Sequence, residues 1–190
     1  DEAVDFVITN PGHYVELEAE YGIIRIASLA ASAEAVTARS VASAVVVRAA
    51  RTDLRRLADL RGTRIAAVAP EAFGGFRVAW REMAEHGIDP FHDTAGLDFL
   101  GFPIERVIEA VASGAADAGI VRACLLEQMT AEGKIQAEDF RVVDGRIPPG
   151  GTCLTSTRSY PDWPFAKLAH TPDALAKMVA VALLTMPARD

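Results

Sequence analysis

Two stretches of the sequence, 112 positions apart, follow the same pattern, and this repeat limits the folds that the chain can adopt. The first runs from Asp5 to Gly22 and the second from Asp117 to Gly133. Each reads as an acidic residue, a short apolar strand, a polar residue at the end of the strand, and a helix that ends at glycine. A repeated strand-helix unit at this separation predicts two similar α/β lobes. If the lobes face each other, both strand-to-helix junctions look into one cleft, which is where open α/β sheets bind ligands.

Around the two copies the chain alternates between strand and helix patterns, which is typical of a mainly parallel sheet with right-handed crossovers. The predicted strands span residues 4–9, 23–29, 43–49, 64–69, 97–101, 117–121 and 140–143. The predicted helices span residues 11–21, 75–86, 103–113, 123–132 and 172–184, with a short helical turn at 53–60.

The order of these elements predicts the boundaries of the lobes. Lobe one holds residues 1–49 plus 140–190, and lobe two holds residues 52–138. The strands 43–49 and 140–143 would cross between the lobes and allow them to hinge. A strand-helix-strand-helix run, residues 64–114, precedes the second copy, and nothing comparable precedes the first. We therefore expect the first lobe to be truncated at its N-terminus, so that the chain is a fragment or its core is completed by other residues or a partner.

Composition and motifs exclude several classes of function. The chain is 51% hydrophobic and 24% charged, as globular proteins are, and its net charge of -7 comes without the basic stripe of a nucleic-acid binder. No run approaches the roughly 18–20 apolar residues that span a bilayer. The four histidines show no metal-ligand spacing, and the motifs of common hydrolases, phosphate loops and redox dithiols are absent from the sequence. We expect no catalytic residue, no metal and no cofactor.

Three predicted helix starts have features suited to anion binding. The unpaired N–H groups and the dipole of a helix N-terminus favour an anion, and glycine lets a ligand approach the backbone closely. The alternative is that these residues only begin helices. The candidate ligand-binding residues at the three starts are Thr9 and Asn10, then Phe73, Gly74 and Gly75, and then Phe102.

Three more candidates lie just after the two repeated strands. Arg122 follows the second strand, where its guanidinium could bind an oxyanion through two hydrogen bonds. The alternative is a structural ion pair with Asp117 or another carboxylate. His13 and Tyr14 follow the first strand and could donate hydrogen bonds or form a wall of the site, or could be ordinary surface or packed residues.

Cys124 follows Arg122 and completes the set of candidate ligand-binding residues. A helix start and a neighbouring guanidinium would lower the pKa of a thiol, which leaves open an enzyme that uses Cys124 in thiol chemistry on a sulfur compound. Cys124 could also be a small buried apolar residue, or pair with Cys153 in a disulfide.

Three segments, residues 5–14, 57–66 and 156–164, resemble the extracytoplasmic sensor domains of tetrathionate-sensor-type histidine kinases. That group is similar to the phosphate/phosphonate substrate-binding proteins of ABC transporters, which have the type 2 periplasmic-binding-protein fold. The resemblance covers nearly the whole chain. Its most distinctive part is the Ser-Thr-x-x-Tyr-Pro-x-Trp-Pro run at 156–164.

The resemblance implies a bilobal α/β fold that binds a small anionic ligand in the cleft and signals by closure of the lobes. It also implies a periplasmic location, with a transmembrane helix and a kinase outside this chain. Where phosphonate binders carry a hydroxyl-rich run, this chain has residues 71–75, so we expect a more apolar lining that suits a sulfur oxyanion. The alternative is a stand-alone substrate-binding protein of a phosphate/phosphonate-type ABC transporter, and a homodimer is left open.

Overall fold

The computed structural model describes residues 4–29 and 40–186 of the chain. Its strands are β1 (Phe6–Ile8), β2 (Ile24–Ser28), β3 (Ser40–Val41), β4 (Ser43–Arg48), β5 (Arg64–Ala67), β6 (Gly96–Phe99), β7 (Ala118–Arg122), β8 (Phe140–Val142), β9 (Tyr160–Pro161) and β10 (Pro164–Lys167). Its α-helices are α1 (Pro11–Tyr21), α2 (Val78–Glu85), α3 (Glu105–Ser113), α4 (Leu125–Ala131) and α5 (Asp173–Leu184). No helix in these two ranges is long and apolar enough to cross a membrane.

The chain divides into two compact units, whose boundaries differ from the predicted ones. The larger unit comprises residues 41–159, and the smaller unit comprises the described residues up to Ser40 and from Tyr160 onward. The difference arises because β4 and β8 pair with each other inside the larger unit, whereas the sequence predicted them as crossings between lobes. β4 is apolar on both faces, which suits a strand inside a sheet that is covered on both sides.

The sheet of the larger unit has the strand order β6-β5-β7-β4-β8. β5 pairs in parallel with β6 and β7, whereas β4 runs antiparallel to its neighbours β7 and β8. Four of the five strands therefore point in the same direction. The mainly parallel α/β architecture expected from the sequence is confirmed for this unit.

Both faces of this sheet carry a buried apolar core. Val45 and Val47 of β4 belong to one core, together with Phe76 and residues of α2. Ala44 and Val46 belong to the other core, which α3 and α4 cover. Burying one valine side chain fully contributes roughly 1.5–3 kcal/mol. β4 thus stabilises the unit through two cores at once.

The sheet of the smaller unit has the order β1-β10-β2, and both of its pairings are antiparallel. β1 and β2 therefore point in one direction and β10 in the other. Lys167 of β10 is largely buried, and its ammonium group donates to the carbonyl of Thr171 (3.1 Å) and pairs with Asp173 (2.6 Å). These contacts fasten the start of α5 to the sheet.

The two sheets share one pattern of strand pairing. In the smaller unit β1 leads into α1 and lies beside the antiparallel β10, with β2 beyond it; in the larger unit β7, α4, β4 and β8 repeat this order. The repeat in the sequence is therefore a repeat in structure. The larger unit adds β5 and β6 beyond β7, while no described strand lies beyond β1.

Local sequence explains which elements were predicted well. α1 agrees with the prediction because Asn10 accepts a hydrogen bond from the N–H of His13, Pro11 is the first helical residue, and Gly22 ends the helix in the left-handed region. The predicted helical turn at 53–60 is a 3-10 helix at Leu57–Leu60. The predicted helix 75–86 begins at Phe73 as a π-helical turn and becomes α-helical only at Val78, earlier and less regularly than predicted. β10 was missed because Pro164 is its first residue and Pro161 lies just before it, and proline inside a sequence argues against a central strand.

A buried hydroxyl inserts into the β4–β8 ladder. The Oγ of Ser156 accepts a hydrogen bond from the N–H of Val45 (2.8 Å) and donates one to the carbonyl of Val143 (2.6 Å). Ser156 is fully buried, so both backbone groups would lose their partner without it. The Ser-Thr part of the distinctive 156–164 run therefore has a structural role in the larger unit.

We predict that Ser156→Ala lowers the free energy of unfolding by roughly 1–3 kcal/mol, because it leaves a buried N–H or carbonyl unpaired. Urea unfolding followed by circular dichroism measures this. The control is Ser113→Ala, at an exposed residue whose hydroxyl donates to the carbonyl of Ala110 (3.2 Å). Equal stability of Ser156→Ala and the parent would contradict the bridging role.

The buried carboxylate of Glu82 binds two arginines near the end of the larger unit. Glu82 of α2 has a side chain that is 7% exposed, and it pairs with Arg146 (2.9 Å) and Arg158 (3.4 Å). Burial raises the pKa of this carboxyl, but the guanidinium of Arg146 and the N–H and guanidinium of Arg158 lower it by more, so the pKa lies below its usual value. The ionised form therefore stabilises the fold.

The unfolding free energy should fall as the pH is lowered from 7 through the unfolded-state pKa of Glu82 and then its depressed folded-state pKa. Glu82→Gln should remove about 1–3 kcal/mol at pH 7, because the hydrogen bonds lose their charged acceptor, and the difference from the parent should shrink toward pH 3. Urea unfolding across this pH range measures it, with the exposed Glu109→Gln as the control. A difference that is independent of pH would contradict the ionic role of Glu82.

Candidate anion-binding site

The carboxyl ends of β5, β6 and β7 and the beginning of β4 lie at one end of the larger sheet. Arg122 pairs in register with Ser43, the N–H of Leu100 bonds the carbonyl of Ala67, and that of Gly101 bonds Val68. The chain thus turns from strand toward helix three times at the same end of the sheet. We call this end, formed by residues 43, 68–75, 100–104 and 122–124, the junction edge. In an open α/β sheet such an edge is the usual place for a ligand.

Arg122 is exposed at the junction edge, and within residues 4–29 and 40–186 no ion pair neutralises its charge. Its Nη2 donates to Oε1 of Gln128 (2.5 Å), whose amide in turn donates to Glu132 (2.8 Å). In the described part of the chain, no carboxylate lies within ion-pair distance of its guanidinium. The alternative of a pair with Asp117 is wrong for this structure.

The carboxylate of Asp117 binds partners other than Arg122. Its carboxylate accepts from the N–H of Arg64 (2.9 Å) and pairs with Arg51. The hydrogen bond from Arg64 and the guanidinium of Arg51 lower the pKa of Asp117, against the effect of burial. Arg122 therefore keeps a guanidinium that neutral Gln128 orients and that can bind an anion.

Gly74 and Gly75 begin the helical segment at the junction edge, where they allow close packing. A Cβ on Gly74 would lie 2.9 Å from Cγ1 of Val41 and 3.4 Å from Cβ of Arg122, and one on Gly75 would lie 2.7 Å from Cγ2 of Val68. Ser43 adds a hydrogen bond from its Oγ to the carbonyl of Gly74 (2.7 Å). Gly74 thus lets the backbone approach Arg122, and Gly75 lets it approach Val68, which are the structural reasons for their presence.

The two aromatic candidates differ in exposure. Phe73 is half-buried in the π-helical turn, whereas Phe102 is 73% exposed. Pro103 is joined to Phe102 by a cis peptide bond, and α3 begins only at Glu105, so Pro103 is not the first helical residue as predicted. The N-cap of α3 is Ile104, which supplies no side-chain hydrogen bond.

Cys124 is the N-cap of α4 and forms a disulfide with Cys153. The disulfide leaves no thiolate at this position, so the hypothesis of an enzyme that uses the Cys124 thiol is wrong for this structure. Cys124 has φ 69°, which is unfavourable for a residue other than glycine. Both cysteines are buried beside Ala42 and Ala123, and the disulfide constrains the turn that follows Arg122.

Of the four candidates of the smaller unit, Thr9, Asn10 and His13 lie together where β1 leads into α1, whereas the side chain of Tyr14 reaches β2. Asn10 caps the helix, and the ring Nδ1 of His13 lies 3.1 Å from Oγ1 of Thr9. The hydroxyl of Tyr14 donates to Glu18 (2.5 Å) and accepts from the N–H of Arg25 (3.2 Å). Burial and the hydrogen bond to Glu18 raise the pKa of Tyr14.

The structure therefore groups the candidates by unit. Gly74, Arg122 and Cys124 lie together at the junction edge, and two residues that the sequence did not single out, Ser43 and Gln128, join them. Gln128 could have been noticed only if the turn at Cys124 were known, since it lies six positions after Arg122. Within residues 4–29 and 40–186, no three His, Cys, Asp or Glu side chains are placed to hold a metal ion.

We predict that the double variant Cys124→Ala/Cys153→Ala lowers the unfolding free energy by about 2–4 kcal/mol, because the cross-link restricts the unfolded chain. Cys124→Gly/Cys153→Ala should regain about 1 kcal/mol, since glycine adopts the positive φ of position 124 without strain. Urea unfolding of both double variants measures this difference. An equal loss in the two variants would mean that the positive φ contributes nothing.

The sequence of the whole chain matches one family of known proteins. The model of the periplasmic substrate-binding protein of phosphonate ABC transporters matches residues 1–190. The tetrathionate sensor histidine kinase TtrS of Salmonella typhimurium is 36% identical over 185 residues, which are 97% of this chain and 31% of the kinase. The chain thus spans about a third of the length of this curated relative.

Solved structures of binding proteins show the same fold. XAC2383 from Xanthomonas citri, bound to chloride ion, superposes with a TM-score of 0.74 at 19% identity, and the match covers 97% of this chain and 65% of that one. PhnD1 from Prochlorococcus marinus in complex with methylphosphonate gives 0.67 at 16% identity, covering 96% and 64%. The type 2 periplasmic-binding-protein fold expected from the sequence is confirmed, and about a third of each solved chain has no counterpart here.

Proposed function

Since the chain belongs to the family of periplasmic substrate-binding proteins of phosphonate ABC transporters, we propose that it is the extracytoplasmic ligand-sensing domain of a two-component histidine kinase. The observation that carries this proposal is the match to a tetrathionate sensor kinase over 97% of the chain at 36% identity. The kinase itself would lie in the two thirds of such a protein that this chain does not span. The chain is a periplasmic binding domain, and the proposal is that its ligand binding regulates a kinase.

The proposed ligand is a small anion, with a sulfur oxyanion as the first candidate. Arg122 supports an anion, because its exposed guanidinium is oriented by Gln128 and has no carboxylate partner in the described chain. A bidentate bond from a guanidinium to an oxyanion is among the stronger hydrogen-bond arrangements. The large exposed ring of Phe102 and the half-buried Phe73 favour a ligand with more apolar or polarisable surface than phosphate has.

The remaining proposed contacts come from backbone and polar groups. In the larger unit we assign Gly74, Gly75 and Cys124 as residues whose backbone shapes the site beside Arg122. In the smaller unit we assign Thr9, Asn10 and His13, which lie together where β1 meets α1, and Tyr14 in the first turn of α1. The ligand cleft and the closure of the lobes stay predictions from the sequence.

We predict that the protein binds tetrathionate in isothermal titration calorimetry and that Arg122→Ala weakens this binding by roughly 10- to 100-fold, the effect of losing a charge-assisted hydrogen bond. Arg122→Lys should recover part of the affinity, because it restores the charge without the fork of donors. Methylphosphonate, titrated in parallel, tests a second and smaller oxyanion. Far-UV circular dichroism checks that the variants are folded.

The matched control is Arg81→Ala, which removes an exposed arginine from α2 in the same unit. It should leave tetrathionate affinity within about twofold. Unchanged affinity in Arg122→Ala would remove Arg122 from the site. Absence of binding by both anions would contradict the proposed ligand class.

A stand-alone transport receptor is the second candidate, because the family model and PhnD1 both describe binding proteins. The two functions differ in the activity to which the binding domain is coupled. A kinase would show ligand-dependent autophosphorylation in the full-length protein in membrane vesicles, whereas a receptor would stimulate ATP hydrolysis by its transporter. Full-length protein without phosphorylation activity would favour the receptor.

A further inference from the structure

A cavity of about 540 Å³ lies on the larger unit away from the residues assigned to the ligand. Its volume is within the roughly 300–1,000 Å³ of pockets that bind small organic molecules. It lies beside β8, the outer strand of the sheet, and beside the segment that comes after β4. The lining residues are Thr52, Arg55, Arg141, Val142, Asp144, Gly145 and Arg146.

The lining carries three guanidinium groups and one carboxylate. The carboxylate of Asp144 already accepts a hydrogen bond from the N–H of Leu57 (2.7 Å), and Arg146 is paired with Glu82 (2.9 Å). The chain as a whole carries a net charge of -7, so this cavity is locally opposite in sign to the protein. A local excess of positive charge inside a concavity attracts anions.

Two of the arginines have no ion-pair partner in the described chain. Arg141 is half-buried, and its guanidinium donates to the backbone carbonyls of Leu54 (3.0 Å) and Arg51, which are neutral acceptors. These bonds fix the guanidinium without cancelling its charge. Arg55 is exposed and donates through Nε to the carbonyl of Thr52 (3.0 Å). Among the described residues its terminal nitrogens have no hydrogen bond, so they can donate to a ligand.

We propose that this cavity is a second binding site, for a small organic molecule that carries at least two negatively charged oxyanion groups. Arg141 supplies a fixed charge at the wall, and Arg55 closes on the ligand from the rim. A polyvalent anion fits better than a monovalent one, because two guanidinium groups without carboxylate partners line one cavity that is several times larger than a single inorganic oxyanion. The proposal is independent of the junction edge and of Arg122.

Two classes of polyvalent anion are tested separately. Citrate represents the polycarboxylates, and fructose 1,6-bisphosphate represents the phosphate esters. Calorimetry at constant ionic strength should show saturable binding of at least one of them. Arg55→Ala should weaken that binding by roughly tenfold, the effect of losing a charge-assisted hydrogen bond. Arg141→Lys keeps the positive charge but loses the planar set of donors that binds the carbonyls of Leu54 and Arg51. This variant should weaken binding of the anion without unfolding the unit.

The matched control is Arg56→Ala, since Arg56 is the exposed neighbour of Arg55 and does not line the cavity. It should change the affinity by less than about twofold, because an exposed charge outside the cavity is screened. Arg122→Ala should leave this binding unchanged, which separates the site from the proposed sensing function. Absence of saturable binding by both probes, or equal losses in Arg55→Ala and Arg56→Ala, would overturn the proposal.

Discussion

β4 is the element on which the larger unit depends, because it joins two halves of the sheet and contributes to the cores on both faces. It pairs with β7 on one side and with β8 on the other, and its alternate side chains enter different cores. The register of this strand also places Ser43 opposite Arg122. The position of the proposed ligand residues is therefore a consequence of how β4 is buried and paired.

Charge in this protein is arranged locally rather than uniformly. Buried or half-buried carboxylates have their own arginines, as Asp117 has Arg51 and Glu82 has Arg146. The guanidinium groups that remain without a carboxylate partner in the described ranges include Arg122 and Arg141, which donate to neutral oxygens instead. Neutral acceptors orient a guanidinium but keep its charge, which is what an anion site requires. An acidic chain can therefore bind anions at defined positions.

Much of the fold could be predicted from local sequence, because α1 has a complete set of capping residues and the strands have clear apolar runs. The repeat of β1–α1 in β7–α4 was also visible, and the same repeat appears in the strand pairing. The site was predicted only in part. Arg122 could be placed at the end of a strand, but its partner Gln128 depends on a turn at Cys124 that has a positive φ. The boundary of the units was missed, because an apolar strand can lie inside a sheet or lead between lobes with the same sequence.

The sequence by itself determined the alternation of strands and helices, the internal repeat and the family, since these depend on periodicity and on residues near each other in the chain. Only the tertiary structure decided which strands pair, that Asp117 binds Arg51 rather than Arg122, and that Cys124 is joined to Cys153. These outcomes join residues that lie 29 or more positions apart. The physical reason is that such contacts depend on the packing of the β-sheet, which brings distant segments together and which no local pattern encodes.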